Sequence, residues 1–256
     1  MAQSHLRALE LLEFLVSHPE VGTVPALAEA SGVGRATAYR MVDELVRAGW
    51  LLESQSPKRF APSLRVLQLG LGVFRDNSVR ETLFRSGVQL ASVVNSSVLI
   101  SFYEDGDVVY TDLIQVLGEA ITSTILGYRL NATCSAPGKA FLADLDDASL
   151  AVIVARGAPK LTSQTKTGAH EILKDIDATR AAGYGFADGE FQHGVAGVAM
   201  LVFNRDARAI GALSVGRSPD EPRDGYPENV LESLRYYTAK ASSELGYRAR
   251  AGRALA

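Results

Sequence analysis

The residues best suited to chemistry lie within "SGVGRATAYRMVDELVRAGWLLES", residues 31–54. Arg35, Thr37, Tyr39, Arg40 and Arg47 share one side of a helical pattern. Its other side carries Ala38, Met41, Val42, Leu45 and Val46. A guanidinium fork matches phosphate oxygens or the O6/N7 edge of guanine. Thr and Tyr hydroxyls suit phosphate, and a threonine methyl can meet thymine. Lys58 and Arg59 follow at the tip of a short hairpin, where they would meet a DNA backbone. The chemistry on offer is contact with double-stranded operator DNA, not bond-breaking.

A second group lies further on, in "CSAPGKAFLA". A phosphate-binding loop needs a second glycine and a hydroxyl after the lysine, and Lys139 has neither. Ser135 reads instead as a helix N-cap, and a helix N-terminus with free N–H groups attracts anions. Cys134 lacks a histidine partner and reads as a small buried hydrophobe. Asp188, Glu190 and His193 cannot be assigned to one helix or strand face, so no metal site is expected. With no nucleophile, base and oxyanion set in view, no cofactor is expected and the chain is read as a non-enzyme. The competing reading is an enzyme acting on a small carboxylic acid through its C-terminal domain.

The elements that must position these residues can be read from spacing. Residues 5–17 form an amphipathic helix that Pro19 and Gly22 end. Thr23 is the expected N-cap of a second helix, "VPALAEA". A Ser-Gly turn leads into the arginine-bearing helix, which Gly49 stops. "WLLES" and "RFAPS" read as two strands joined by "QSPK", a wing. This is the pattern of a winged helix–turn–helix. Ser63 can cap a linker helix that breaks at Asp76-Asn77, and Gly70 and Gly72 would let that linker bend.

From Ser97 onward the patterning changes. "SVLISFYEDGDVVYTDLI" reads as a hairpin and "AITSTILG" as a further strand. "APGKAFLADL" and "GAHEILKDIDATRAAG" read as helices. "GVAGVAMLVFN" and "AIGALSVGRS" form a hairpin around "RDAR". A last helix puts Val230, Leu231, Leu234, Ala241 and Leu245 on its core side. The fold expected is an N-terminal all-α winged helix–turn–helix, residues 1–63, a linker helix, 64–76, and a C-terminal α+β domain with an antiparallel sheet, 77–256.

The totals narrow the partners. The chain has 256 residues and net charge −3. The first 75 residues carry eight Lys/Arg against seven Asp/Glu, and the rest eighteen against twenty-two. Neither part is a polycation, so a DNA reading rests on where the charges sit. One cysteine excludes an intrachain disulfide and a Cys-rich zinc site. No apolar run is long enough to span a bilayer, and "MAQSHLRALELLEF" does not read as a secretion signal. A cytoplasmic protein without a membrane partner is expected.

The stretches "SHLRALELLEFLV", "TVPALAEASGVGRATAYRMVDELVRAGWLLES", "CSAPGKAFLA", "RAAGYGFADGEFQHGVAGVAMLVF" and "IGALSVGRSP" together resemble the isocitrate lyase regulator (IclR) family, in the family's order along nearly the whole chain. The resemblance implies a transcription regulator that is a homodimer or dimer of dimers. It implies a GAF-like C-terminal domain that binds a small-molecule effector, often beside genes for catabolism of small organic or aromatic acids. It places the effector at Ser135, Ala136 and Gly138, held largely by backbone groups, although Pro137 removes one donor. Ala187, Asp188, Gly197 and Ser214 would close the pocket. The family usually has an acid at position 187, a cysteine at 197 and a serine at 216, where this chain has Ala187, Gly197 and Gly216. The smaller, less polar lining points to a larger, more apolar acid, such as an aromatic one.

Overall fold

The computed structural model describes residues 2–54, 58–73, 78–116, 126–217 and 226–248. The expected strand "AITSTILG" falls almost entirely outside them. The chain forms two compact units, Met1–Asn77 and Ser78–Ala256.

In the first unit, α1 (Ala2–Ser17), α2 (Val24–Ala30) and α3 (Arg35–Arg47) enclose a small core. Leu11, Leu15, Leu27, Ala38 and Leu51 are fully buried there. A fully buried leucine contributes about 1.5–3 kcal/mol over an exposed one. The turn between α2 and α3 needs Gly32, whose φ is +63°. Strands β1 (Leu51–Glu53) and β2 (Phe60–Pro62) pair antiparallel as the wing. Thr23 stands at the N-cap position of α2, but its side chain makes no cap hydrogen bond. Its backbone instead pairs with Arg59 in an isolated bridge, which stitches the wing to the start of α2. Helix α4 (Leu64–Val73) follows. Ser63 Oγ accepts the Arg65 amide at its start, and the Arg65 guanidinium lies 4.6 Å over the Trp50 ring.

The second unit is built on a six-stranded antiparallel sheet in the order β5-β4-β3-β8-β7-β6. Its strands are β3 (Val98–Glu104), β4 (Asp107–Ile114), β5 (Arg129–Asn131), β6 (Gly185–Asp188), β7 (Ala196–Phe203) and β8 (Ala209–Arg217). Helices α5 (Ser78–Val94) and α9 (Glu228–Glu244) cover one face. There Leu83, Leu90, Val198, Leu213 and Val215 meet Val230, Leu231, Leu234 and Ala241. Helices α6 (Ala136–Asp144), α7 (Asp147–Ala155) and α8 (Ala169–Ala182) lie on the other face, over Val108, Tyr110 and Ala212. This is the α+β architecture expected, with three additions, α7, β5 and β6. Helix α7 was not expected, although Asp146 caps it by accepting the Ser149 amide at 2.8 Å. β5 was not expected either, because a three-residue strand carries too little alternation to read. No helix among the described residues is long and apolar enough to cross a membrane.

Candidate DNA-binding and effector sites

On α3, Ala38, Met41 and Val42 are buried against α1 and α2. Amphipathic spacing therefore turns Arg35, Tyr39 and Arg40 to solvent, with Thr37 half-buried at the margin. Acidic residues also stand on this helix. Asp43 and Glu44 are exposed, and Asp43 pairs with Arg47 at 2.6 Å, one turn apart. Arg47 is thus part-neutralised, and the unopposed positive charge concentrates at the N-terminal half of α3. At the wing, Lys58 is exposed and makes no ion pair among the described residues. Arg59 departs from its expected place at the tip. It is half-buried, and its guanidinium donates to the Glu20 carbonyl, so it fastens the wing to the turn before α2.

In the second unit, Ser135 does cap α6, its Oγ accepting the Gly138 amide at 3.1 Å. The Lys139 amide goes to the Ser135 carbonyl, and Pro137 has no N–H. Of the first turn's amides this leaves Ala136 to face a ligand, so the helix end offers fewer donors than expected. Gly138 is needed for packing: a Cβ there would stand 2.1 Å from the Ala132 carbonyl oxygen. Gly185 brings β6 equally close, a Cβ there standing 2.0 Å from the Ala136 oxygen.

The sheet face beneath this turn carries small residues. Register aligns Ala187, Gly197 and Gly216 across β6, β7 and β8 in one row. The next row holds Ala199, Ser214 and Leu99. Ala136, Ala187 and Ala199 pack together. A Cβ on Gly197 would meet nothing nearer than 3.6 Å, and one on Gly216 would have no neighbour within 4 Å. Ser135, Ala136, Ala187, Gly197 and Ser214 therefore converge. Asp188 does not join them. Successive strand residues point to opposite faces, so with Ala187 turned toward α6, Asp188 lies on the far face.

Two polar residues here have no signal in the sequence. Tyr110 hydrogen-bonds to Ser135, and burial pushes its phenol up to about 12. Ser101 is fully buried, its Oγ without a partner among the described residues, opposite Tyr110 and Ala212 on the same face. Only strand register puts them under α6.

Behind the turn lies a buried charge cluster. Lys139 is 1% exposed. Its Nζ donates to the Phe186 carbonyl at 3.0 Å, pairs with Glu190, and lies 2.5 Å from Asp175 Oδ2. Lys166 joins at 2.8 Å from Asp175. Burial works to raise the Asp175 carboxyl, but the Lys139 and Lys166 ammoniums outweigh it and hold it below its ordinary value. Burial likewise works to lower Lys166, and Asp175 and Glu190 hold it above its ordinary value. Thr162 and Thr165 hydroxyls bond the Gly189 and Glu190 carbonyls at 2.7 Å each, fixing the β6–β7 turn. Glu190 is thus a structural ion-pair partner and His193 is exposed. No group of metal-ligating side chains occurs among the described residues. Cys134 is buried, and burial pushes its thiol up, away from the reactive thiolate.

A winged helix–turn–helix followed by an α+β domain on a six-stranded antiparallel sheet is the architecture of a DNA-binding transcriptional regulator. Residues 4–54 match the IclR helix-turn-helix domain, and residues 78–243 match the bacterial transcriptional regulator IclR C-terminal domain. The chain belongs to the IclR family of transcriptional regulators. It is 23% identical to the HTH-type transcriptional regulator XynR of Escherichia coli, over 96% of this chain and 98% of that one. Its fold is that of an IclR transcriptional regulator from Alicyclobacillus acidocaldarius, with TM-score 0.80, 22% identity and 95% and 98% of the two chains covered. An IclR homolog from Microbacterium hydrocarbonoxydans, solved with 4-hydroxybenzoate, gives TM-score 0.80 at 18% identity, covering 94% and 98%.

Proposed function

We propose that this regulator answers to a small aromatic carboxylate, bound between the N-terminal turn of α6 and the β6–β8 end of the sheet. The observation that carries the reading is the Ala187–Gly197–Gly216 row, one methyl and two glycines on which an aromatic ring would lie flat. The Ala136 amide and the Ser135–Tyr110 hydroxyl pair supply donors for the carboxylate. The 4-hydroxybenzoate complex of a relative with this fold supports the ligand class. The genes controlled would then serve catabolism of such acids. Ligand binding would act by population shift, favouring one spacing of two recognition helices.

The test is Gly197→Leu. Its Cβ meets only ordinary contacts, so the protein should fold, while the branched end fills the floor. The variant is expected to bind operator DNA like the parent and to lose its response to 4-hydroxybenzoate. Gly197→Cys should give a partial loss. If pyruvate or glyoxylate bound and every aromatic acid failed, the enlarged recess would be the wrong reading. Normal regulation in Gly197→Leu would show that the site lies elsewhere.

Assembly as a homodimer through the first unit, and pairing of dimers through the second, complete the proposal. Helix α4 has no buried residue, and Leu64, Leu67, Leu69, Leu71 and Val73 are all more than half exposed. Leu6, Leu9 and Val16 on α1 are as open. Apolar surface of this density marks an interface, and operators need two half-sites. Light scattering at micromolar concentration should give twice or four times the chain mass. A monomer would overturn the assembly.

A further inference from the structure

A second recess lies elsewhere in the second unit, along the edge of the sheet. β6 pairs only with Ala196–Ala199 of β7, and among the described residues no strand covers Met200–Phe203 on that side. A cavity of about 240 Å³ opens there. It is bounded by the C-terminal halves of α6 and α8, by the β7 edge, and by α9. Phe203, Tyr184, Tyr247 and Met200 give it apolar and aromatic walls, and the Phe203 and Tyr247 rings lie 5.4 Å apart.

Its polar groups are nearly all engaged. The Thr179 hydroxyl bonds Asp175 and the Thr238 hydroxyl bonds Leu234. Arg180 donates to the Ala143 and Leu145 carbonyls and pairs with Asp147 at 3.0 Å. Asp144 already has a partner. The exception is Arg235. Among the described residues its buried Nε has no hydrogen-bond partner and its guanidinium makes no ion pair. It sits on α9 one residue past fully buried Leu234, at the margin of the core stripe. A desolvated guanidinium N–H without an acceptor is costly to the free protein and strongly favours an anion that can reach it.

We propose that this recess is a second small-molecule site, taking a monocarboxylate with one flat apolar ring. The carboxylate would accept a charge-assisted hydrogen bond from the Arg235 guanidinium in the cavity wall. The ring would lie among Phe203, Tyr184 and Tyr247. The volume is below the usual range for drug-sized ligands, which sets a single-ring limit. The inference does not rest on the effector reading. The two sites share α6, one at its N-terminal turn and one past Ala140, so occupation of either can bias the same helix.

The experiment is a titration of full-length protein with 4-fluorobenzoate followed by fluorine NMR. In Gly197→Leu, saturable binding should persist. Adding Arg235→Met should weaken it about tenfold to hundredfold, the loss of one charge-assisted hydrogen bond. Arg235→Lys should restore part of it. Arg235→Met removes a charge that makes no ion pair among the described residues, so its melting temperature should not fall, which separates ligand loss from unfolding. Gly197→Leu losing all binding, or the double variant binding as tightly as Gly197→Leu, would overturn the second site. The first of those outcomes would leave the effector reading standing. Loss on Arg235→Met alone, with none on Gly197→Leu, would instead sink the effector reading. A parent protein that binds no 4-fluorobenzoate up to millimolar concentration would overturn the second site as well.

Discussion

Lys139→Met is expected to lower folding stability by about 3–5 kcal/mol, because removing one member of a buried ion pair leaves its partner's charge uncompensated. Glu190, 4% exposed, would keep only Lys166 at 3.5 Å, and the Phe186 carbonyl would lose its donor. Urea denaturation of the second unit is the direct measurement. The double variant Lys139→Met/Glu190→Met should recover much of the loss, and a cycle with both single variants isolates the pair. A cost below 1 kcal/mol for Lys139→Met would mean that water reaches the cluster. The pH dependence has two edges. Asp175 has its folded value lowered, so its contribution is present above 3.8 and is lost as pH falls through the lower folded value. Lys166 is raised, so its contribution is full below 10.5 and is lost as pH rises through the higher folded value. Between those edges the cluster should leave stability flat with pH.

Arg35→Ala and Arg40→Ala should each weaken operator binding by about 1–3 kcal/mol, roughly tenfold to a hundredfold, with relaxed preference at one base position apiece. Both side chains are exposed on α3 and unpaired among the described residues, whereas Arg47 is tied to Asp43. Lys58→Ala should instead weaken binding to all sequences alike and lower the salt slope by about one. Arg59→Ala is expected to act differently again. Its guanidinium fastens the wing to the Glu20 carbonyl, so the loss should appear in thermal stability of the first unit as well as in affinity. Fluorescence anisotropy on operator and scrambled duplexes, across a salt series, separates these cases. Operator binding by Arg35→Ala and Arg40→Ala at the parent's affinity would show that α3 is not the reading helix.

The sequence by itself determined the first unit. Its helices are amphipathic and local, so the spacing of Ala38, Met41 and Val42 settles both the buried stripe and the exposed arginines. Hairpins with short turns were legible for the same reason: partners lie close along the chain. The family order of motifs likewise carried the second unit's class. Tertiary structure decided everything that depends on strand order and register. β8 lies between β3 and β7, a long-range pairing that no local pattern reports, and it brings Ser101, Tyr110 and Ser214 under α6. Strand alternation separates Ala187 from Asp188, although they are neighbours in sequence. Lys139 looked like an incomplete phosphate loop; its partners Asp175 and Glu190 come from α8 and the β6–β7 turn, and only folding brings the three charges together where water is excluded.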